Sequence, residues 1–257
     1  MSGYARIYKE VDGSWVQVGR DLYDFSGYNV AMSADGMRVV VGDPNANKNG
    51  YYAGHARIYK EVDESWVQVE RDLGGEAEED TSGYSVAISA DGMRVVVGAP
   101  GNNGNNGDYS GHARIYKEVD GSWVHVGRDL DGEGTQDTLV HSVAMSADGM
   151  RVVVGAPGNN NEDYSGHARI CEEVDGSLVQ VGIDLDGEAE EDSSGHSVAM
   201  SADGKRAIVL AGSSSPSSPP SSSAVPAPAP SSSAISWSVN TKHTLIVLFS
   251  AFSFWFI

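Results

Sequence analysis

The residues best suited to chemistry in this chain come in sets. His55, His112 and His167 each stand second in a Gly-His-Ala-Arg string, followed two positions on by Arg57, Arg114 and Arg169, with Arg6 in a further copy. Three imidazoles would hold zinc only if they converged, and each lies in a different copy of the string, so each is read as a half-buried strand histidine. The arginines could pair with acids on adjacent strands. Two inserts, 102–108 and 159–163, gather oxygen donors, and Asn105, Asn106, Asp108 and Asp163 are the residues a hard cation such as calcium would use. The competing reading is a long exposed loop, because Asn and Gly tolerate left-handed backbone. Trp15, Trp66 and Trp123 recur in Ser-Trp-Val and could stack on sugar rings, but Leu178 in the fourth copy favours packing. Cys171, the one cysteine, fills the slot of Tyr8, Tyr59 and Tyr116 and reads as a small apolar strand residue. No Ser-His-Asp set, glutamate pair or phosphate-cradling loop can be assembled from unique residues, so the expectation is a non-enzyme without cofactors.

Repetition is the reason that nothing chemical is unique. Gly-x-Ala-Arg-Ile begins at Gly3, Gly54, Gly111 and Gly166, a spacing of 51, 57 and 55 residues. A unit of that size buries its apolar face only against its neighbours. Each unit reads as four short strands: 54–62 and 65–69 alternate apolar with polar, and 83–90 and 93–99 follow. The unbroken Val95-Val96-Val97 suggests burial on both faces, hence the innermost strand. Asp-Gly pairs such as Asp12-Gly13 and Asp91-Gly92 predict two-residue type I′ turns, while Asp63-Glu64 must use another turn or accept strain.

Four antiparallel strands per unit describe an all-β fold, a β-propeller of about four blades or a fragment of a larger one. Its end blade is expected to close by pairing Tyr4–Val18 with His196–Ala211.

Ser82 to Tyr116 resembles the FG-GAP repeat of integrin alpha-chain propellers. Gly83 stands for the FG glycine, Gly98-Ala99-Pro100 for GAP, and 111–116 for the following strand; Gly155-Ala156-Pro157 and Gly42-Asp43-Pro44 repeat the pattern. The resemblance covers about 1–212. It implies a propeller blade, but not the family's calcium site. The FG aromatic is replaced by Ser26, Ser82, Leu139 and Ser194, Val140 replaces a glycine, and one copy reads Leu210-Ala211-Gly212. Between FG and GAP there is only an Ala-Asp-Gly turn with one carboxylate, whereas calcium takes six to eight oxygens. Ser89-Ala90-Asp91-Gly92 also resembles the structural Asp-box hairpin of other propellers.

The formal charge of −19 and pI near 4.5 exclude nucleic acid as a partner. The acid collects in runs such as Glu76 to Asp80 and Glu188 to Asp192, read as solvated loops. Residues 213–233 are Ser, Pro and Ala, a semi-rigid stalk, and 234–257 form a C-terminal hydrophobic anchor signal. The last 14 residues are apolar and as a helix reach about 21 Å, short of the ~30 Å hydrocarbon core. Small residues, a spacer and that tail match a glycolipid (GPI) anchor signal, with Ser232 or Ser233 as the attachment site and a short transmembrane tail as the alternative. Such an anchor needs a secretory signal, and none is visible before the first repeat, which suggests a missing start. The sequence thus points to an extracellular, cell-surface adhesion or recognition scaffold with a protein or glycan ligand, held to the membrane by its tail. The alternatives are a polysaccharide-acting enzyme on a propeller and a truncated piece of a larger repeat protein.

Overall fold

The computed structural model describes residues 3–25, 28–102, 109–132, 140–158 and 164–212, and no helix occurs among them. The first strands are β1 (Gly3–Ala5), β2 (Tyr8–Val11), β3 (Ser14–Gln17) and β4 (Leu22–Phe25), which pair as β1–β4 and β2–β3. Three complete antiparallel blades follow. They are β5 (Asn29–Met32), β6 (Arg38–Asp43), β7 (His55–Val62), β8 (Ser65–Gln68), β9 (Leu73–Gly74); β10 (Ser85–Ile88), β11 (Arg94–Ala99), β12 (His112–Val119), β13 (Ser122–His125), β14 (Leu130–Asp131); and β15 (Ser142–Met145), β16 (Arg151–Ala156), β17 (His167–Val174), β18 (Ser177–Gln180), β19 (Leu185–Asp186). In each, four strands lie in sequence order and the two-residue fifth pairs with the start of the third. A last pair, β20 (Ser197–Met200) and β21 (Ala207–Leu210), makes half a blade. This is a propeller-like stack.

Period-two alternation decides which blade each side chain touches. Val40, Ala56 and Ile58 of the first complete blade meet Val86, Val95 and Val97 of the second. Val96, Ala113 and Ile115 on the second blade's other face meet Val152, Val154 and Cys171 of the third. Ile7 of the first half-blade likewise packs on Val39, Val41 and Tyr59. The core is therefore a series of slabs between blades, and each fully buried valine contributes roughly 1.5–3 kcal/mol.

The valine strands are not innermost. β5, β10, β15 and β20 neighbour one another across successive blades and line the centre of the stack. β6, β11 and β16 come second, between two strands of their own sheet and two neighbouring blades, which is why Val95, Val96 and Val97 are buried on both faces.

Two kinds of hairpin turn occur. Asp12-Gly13, Asp120-Gly121 and Asp175-Gly176 have positive φ at both positions, as type I′ turns require. Asp63 and Glu64 adopt the same turn, at φ 49° and 58°. The Ala-Asp-Gly turns do not follow the I′ expectation, because only their glycines have positive φ. There the amide of Gly92 donates to the Ser89 carbonyl at 3.0 Å, and Ser89 Oγ donates to Asp91 Oδ1 at 2.5 Å. Asp91 Oδ1 also accepts from the Met93 amide at 2.9 Å, so the side chains hold the turn that the backbone alone does not.

The expected closure is not made. β20–β21 remains a two-stranded sheet, and β1–β4 and β2–β3 form sheets apart from it.

Candidate functional site

One position of the unit breaks the repetition at the centre of the stack. The residue just before or at the start of each innermost strand is Tyr28, Tyr84, His141 and His196 in turn. These four side chains form a continuous row. Tyr28 and Tyr84 rings lie 4.5 Å apart, Tyr84 and His141 4.9 Å, and His141 stacks on His196 at 4.6 Å and 28°. The Tyr28 hydroxyl donates to Tyr84 Oη at 2.8 Å, and Tyr84 Oη lies 2.9 Å from His141 Nε2. His141 Nδ1 lies 3.2 Å from the His196 carbonyl oxygen. That carbonyl can only accept, so Nδ1 carries the proton, and Nε2 accepts from Tyr84. The row thus has one direction of donation from Tyr28 to His196.

The elements beneath the row fix it in place. Ser85 Oγ donates to the Val140 carbonyl and Ser142 Oγ to the Gly195 carbonyl, each at 2.8 Å, tying β10 and β15 to the turn of the next unit. Gly83 and Gly195 sit at φ +87° and +91°, and a Cβ there would collide with the carbonyls of His55 and His167. Val140 takes the same conformation at φ 77° while fully buried. The row borders a cavity of about 330 Å³ floored by Asn29, Ser85, Ser142 and Ser197.

Burial pushes the Tyr84 phenol up to about 12, and the adjacent Tyr28 adds to the shift. Burial also lowers the His141 imidazole below its ordinary value, against the effect of its bond to the His196 carbonyl. Both groups are therefore uncharged at neutral pH. A raised tyrosine is a poor base, and no nucleophile stands beside His141 in the row. What the arrangement offers is aromatic faces with hydroxyl and imidazole edges around a polar floor, which suits binding of a polar ligand with an apolar face.

Sequence reasoning passed over these four residues. The available signal was the Tyr-to-His change within an otherwise near-verbatim unit.

The recurrent residues singled out from sequence are placed elsewhere. His55, His112 and His167 begin the third strands β7, β12 and β17, buried rather than half-buried, one per blade and never together. Burial lowers His55 and His112. Each arginine pairs within its own unit: Arg6 with Asp21, Arg57 with Asp72, Arg114 with Asp129 and Arg169 with Asp184, at 2.8–3.0 Å. Cys171 is buried, and its thiol is pushed up to about 11. Trp123 is buried in the slab between two blades. The acidic run ending at Asp80 is more than solvated loop. Asp80 is buried, accepts from the Glu76 and Ala77 amides at 2.7 and 2.9 Å, and takes a bond from Asn102 Nδ2 at 2.8 Å. Asn105, Asn106, Asp108 and Asp163, the calcium candidates, lie outside the described residues, as do Ser232, Ser233, the stalk and the anchor signal. Among the described residues no group of three or more His, Cys, Asp or Glu is disposed to hold a metal, and no helix is long and apolar enough to cross a membrane.

The second blade decides the kind of repeat. Residues 74–116 match the family model of the FG-GAP repeat. This stretch is an FG-GAP repeat. In it the FG glycine is the positive-φ Gly83 that meets the preceding blade, and GAP ends the valine strand at Gly98-Ala99-Pro100. Among solved structures, the chain is similar to the periplasmic gluconolactonase PpgL of Pseudomonas aeruginosa, at 16% identity and a TM-score of 0.45 over 80% of this chain and 56% of that one. It is also similar to a functionally unknown protein of Desulfotomaculum acetoxidans, at 13% identity and a TM-score of 0.48 over 75% of this chain and 51% of that one. The chain thus spans roughly half the length of these structures. No curated protein shows significant sequence similarity to it.

Proposed function

We propose that this FG-GAP repeat chain is a non-catalytic recognition scaffold that takes a protein or glycan ligand on the Tyr28–Tyr84–His141–His196 row. The observation that carries the reading is the row itself: the scaffold is repeated almost verbatim, and the side chains along its centre are varied and hydrogen-bonded into one polar, aromatic surface. Binding, rather than turnover, suits aromatic faces set around a polar floor whose Ser85 and Ser142 hydroxyls already donate to backbone carbonyls. Display at the cell surface, on the 213–233 stalk and through a GPI anchor near Ser232 or Ser233, is supported by the small-residue, spacer and apolar-tail order of the sequence.

The test is a screen of the purified chain against glycan and cell-surface protein arrays, with the Tyr84→Ala/His141→Ala double variant in parallel. Retained hits that disappear in the variant support the reading. Hits that the variant keeps, or an array without hits, count against it.

A further inference from the structure

A second cavity lies between the first and second complete blades and shares no residue with the row. Its volume is about 360 Å³, within the roughly 300–1,000 Å³ of small-molecule sites. The first blade contributes His55 at the start of β7, Lys48 before it, and Glu70, Arg71 and Asp72 between β8 and β9. The second contributes Tyr116 of β12 and Trp123 of β13. We propose that this cavity binds one neutral sugar ring, a hexose unit of a glycan, against Tyr116, Trp123 and His55.

Unpartnered nitrogens carry the inference. His55 and Trp123 are 4% and 8% exposed. Among the described residues, neither ring nitrogen of His55 nor Nε1 of Trp123 has a hydrogen-bond partner. Asp72 Oδ2 stands 3.9 Å from His55 Nε2, beyond hydrogen-bond reach. That carboxylate is engaged elsewhere, by Arg57 Nε at 2.9 Å, Gln68 Nε2 at 2.7 Å and Lys48 Nζ at 3.2 Å. A buried polar group without a partner destabilises a fold, and here two residues that line one cavity carry such groups.

Their chemistry selects the ligand. An indole N–H can only donate. Burial lowers the His55 imidazole below its ordinary value, against the pull of Asp72, so the ring is neutral. It then offers one N–H donor and one bare acceptor nitrogen. Sugar hydroxyls both donate and accept, and so can pair with all three nitrogens. An ionised carboxylate or phosphate only accepts and would leave the imidazole acceptor bare. Charge points the same way, because Lys48 and Arg71 are balanced by Glu70 and Asp72. Tyr116 and Trp123 add the apolar faces on which the C–H side of a sugar ring can pack.

The set of residues occurs once among the described units. Between the second and third complete blades, Cys171 and Leu178 stand at the positions of Tyr116 and Trp123. In the first half-blade Tyr4 stands where the later units have histidine. Backbone contacts hold the walls of the cavity. The Trp123 amide donates to Glu70 Oε2 at 2.6 Å across the two blades, and Asn49 Nδ2 donates to the Gly75 carbonyl at 3.1 Å.

The test titrates methyl glycosides of glucose, galactose, mannose and N-acetylglucosamine into the nitrogen-15-labelled full chain. The chain is held in a detergent without a sugar headgroup, and the indole N–H resonances are followed, that of Trp123 being assigned by its absence from Trp123→Leu. The expected result is a saturable shift of the Trp123 resonance with at least one glycoside. Saturation-transfer signals of that glycoside should then show at least tenfold weaker binding to the Tyr116→Cys/Trp123→Leu variant. This variant carries the residues of the sister junction, and its urea midpoint should stay in the folded range; should it misfold, the wild-type shift decides. A Trp123 resonance unmoved by all four glycosides, as when water alone fills the cavity, overturns the proposal. So does unchanged affinity in the double variant, or tighter binding of glucuronate or inorganic phosphate than of any glycoside.

Discussion

Replacing Glu64 by glycine should stabilise the protein. Glu64 occupies the second central position of the β7–β8 hairpin at φ 58°, where the three sister hairpins carry Gly13, Gly121 and Gly176 at φ 78°, 83° and 76°. An L-residue in the left-handed region costs roughly 1–2 kcal/mol that glycine does not incur. Glycine in turn loses about 0.4–1 kcal/mol more backbone entropy on folding. The side chain is exposed, so little packing is lost. The net gain is about 0.5–1 kcal/mol, a rise in Tm of about 1–4 °C for a repeat region of this size. Urea unfolding followed by tryptophan fluorescence should show a higher midpoint at an unchanged slope. Gly121→Ala is the mirror experiment and should lower the midpoint, since φ is 83° there while nothing lies within 4 Å of an added Cβ. An unchanged or lower midpoint for Glu64→Gly would refute the claim that the repeat imposes one turn on all four hairpins.

Other expectations follow from burial and charge. The folded-state histidines His55, His112 and His141 lie below their unfolded value, so the unfolded chain binds more protons and stability falls as pH drops through about 6.5. Each contributes at most about 1.4 kcal/mol per pH unit, and a urea midpoint that does not fall between pH 7.5 and 5 would contradict this. Ile115→Ala, in the slab between the second and third complete blades, should cost about 2–5 kcal/mol by the same assay. Expressed behind a signal peptide, the chain should be released from cells by a phosphatidylinositol-specific phospholipase; retention together with detection of 244–257 peptides would count against the anchor.

Much of the fold is legible in the sequence because alternation and turn residues are local signals. The strands expected at 54–62, 65–69 and 93–99 appear as β7, β8 and β11 within a residue or two. Interactions that depend on neighbouring blades are not local, and reading fails there. Val95-Val96-Val97 announces double burial, but strand order cannot be told from that, since a second strand between two blades is as enclosed as an innermost one. The short β9, β14 and β19 have two residues each, too few for any periodicity. The Asp91-Gly92 turn misleads because Ser89 and Asp91 hold it through side-chain bonds rather than through a type I′ backbone. The candidate site was hidden by the repetition. Attention to residues shared among units finds His55, buried at the start of its strand, and Arg57, paired with Asp72 of its own unit, whereas the row at the centre lies where units differ.

The most direct test of the central claim is a calorimetric titration of a ligand found on the arrays into wild-type protein, Tyr84→Ala and His141→Ala. The account predicts at least a tenfold loss of affinity in each variant, about 1.4 kcal/mol or more, with the urea midpoint of the repeat region still in the folded range. Affinities equal to wild type in both variants would place recognition elsewhere on the scaffold and contradict the account.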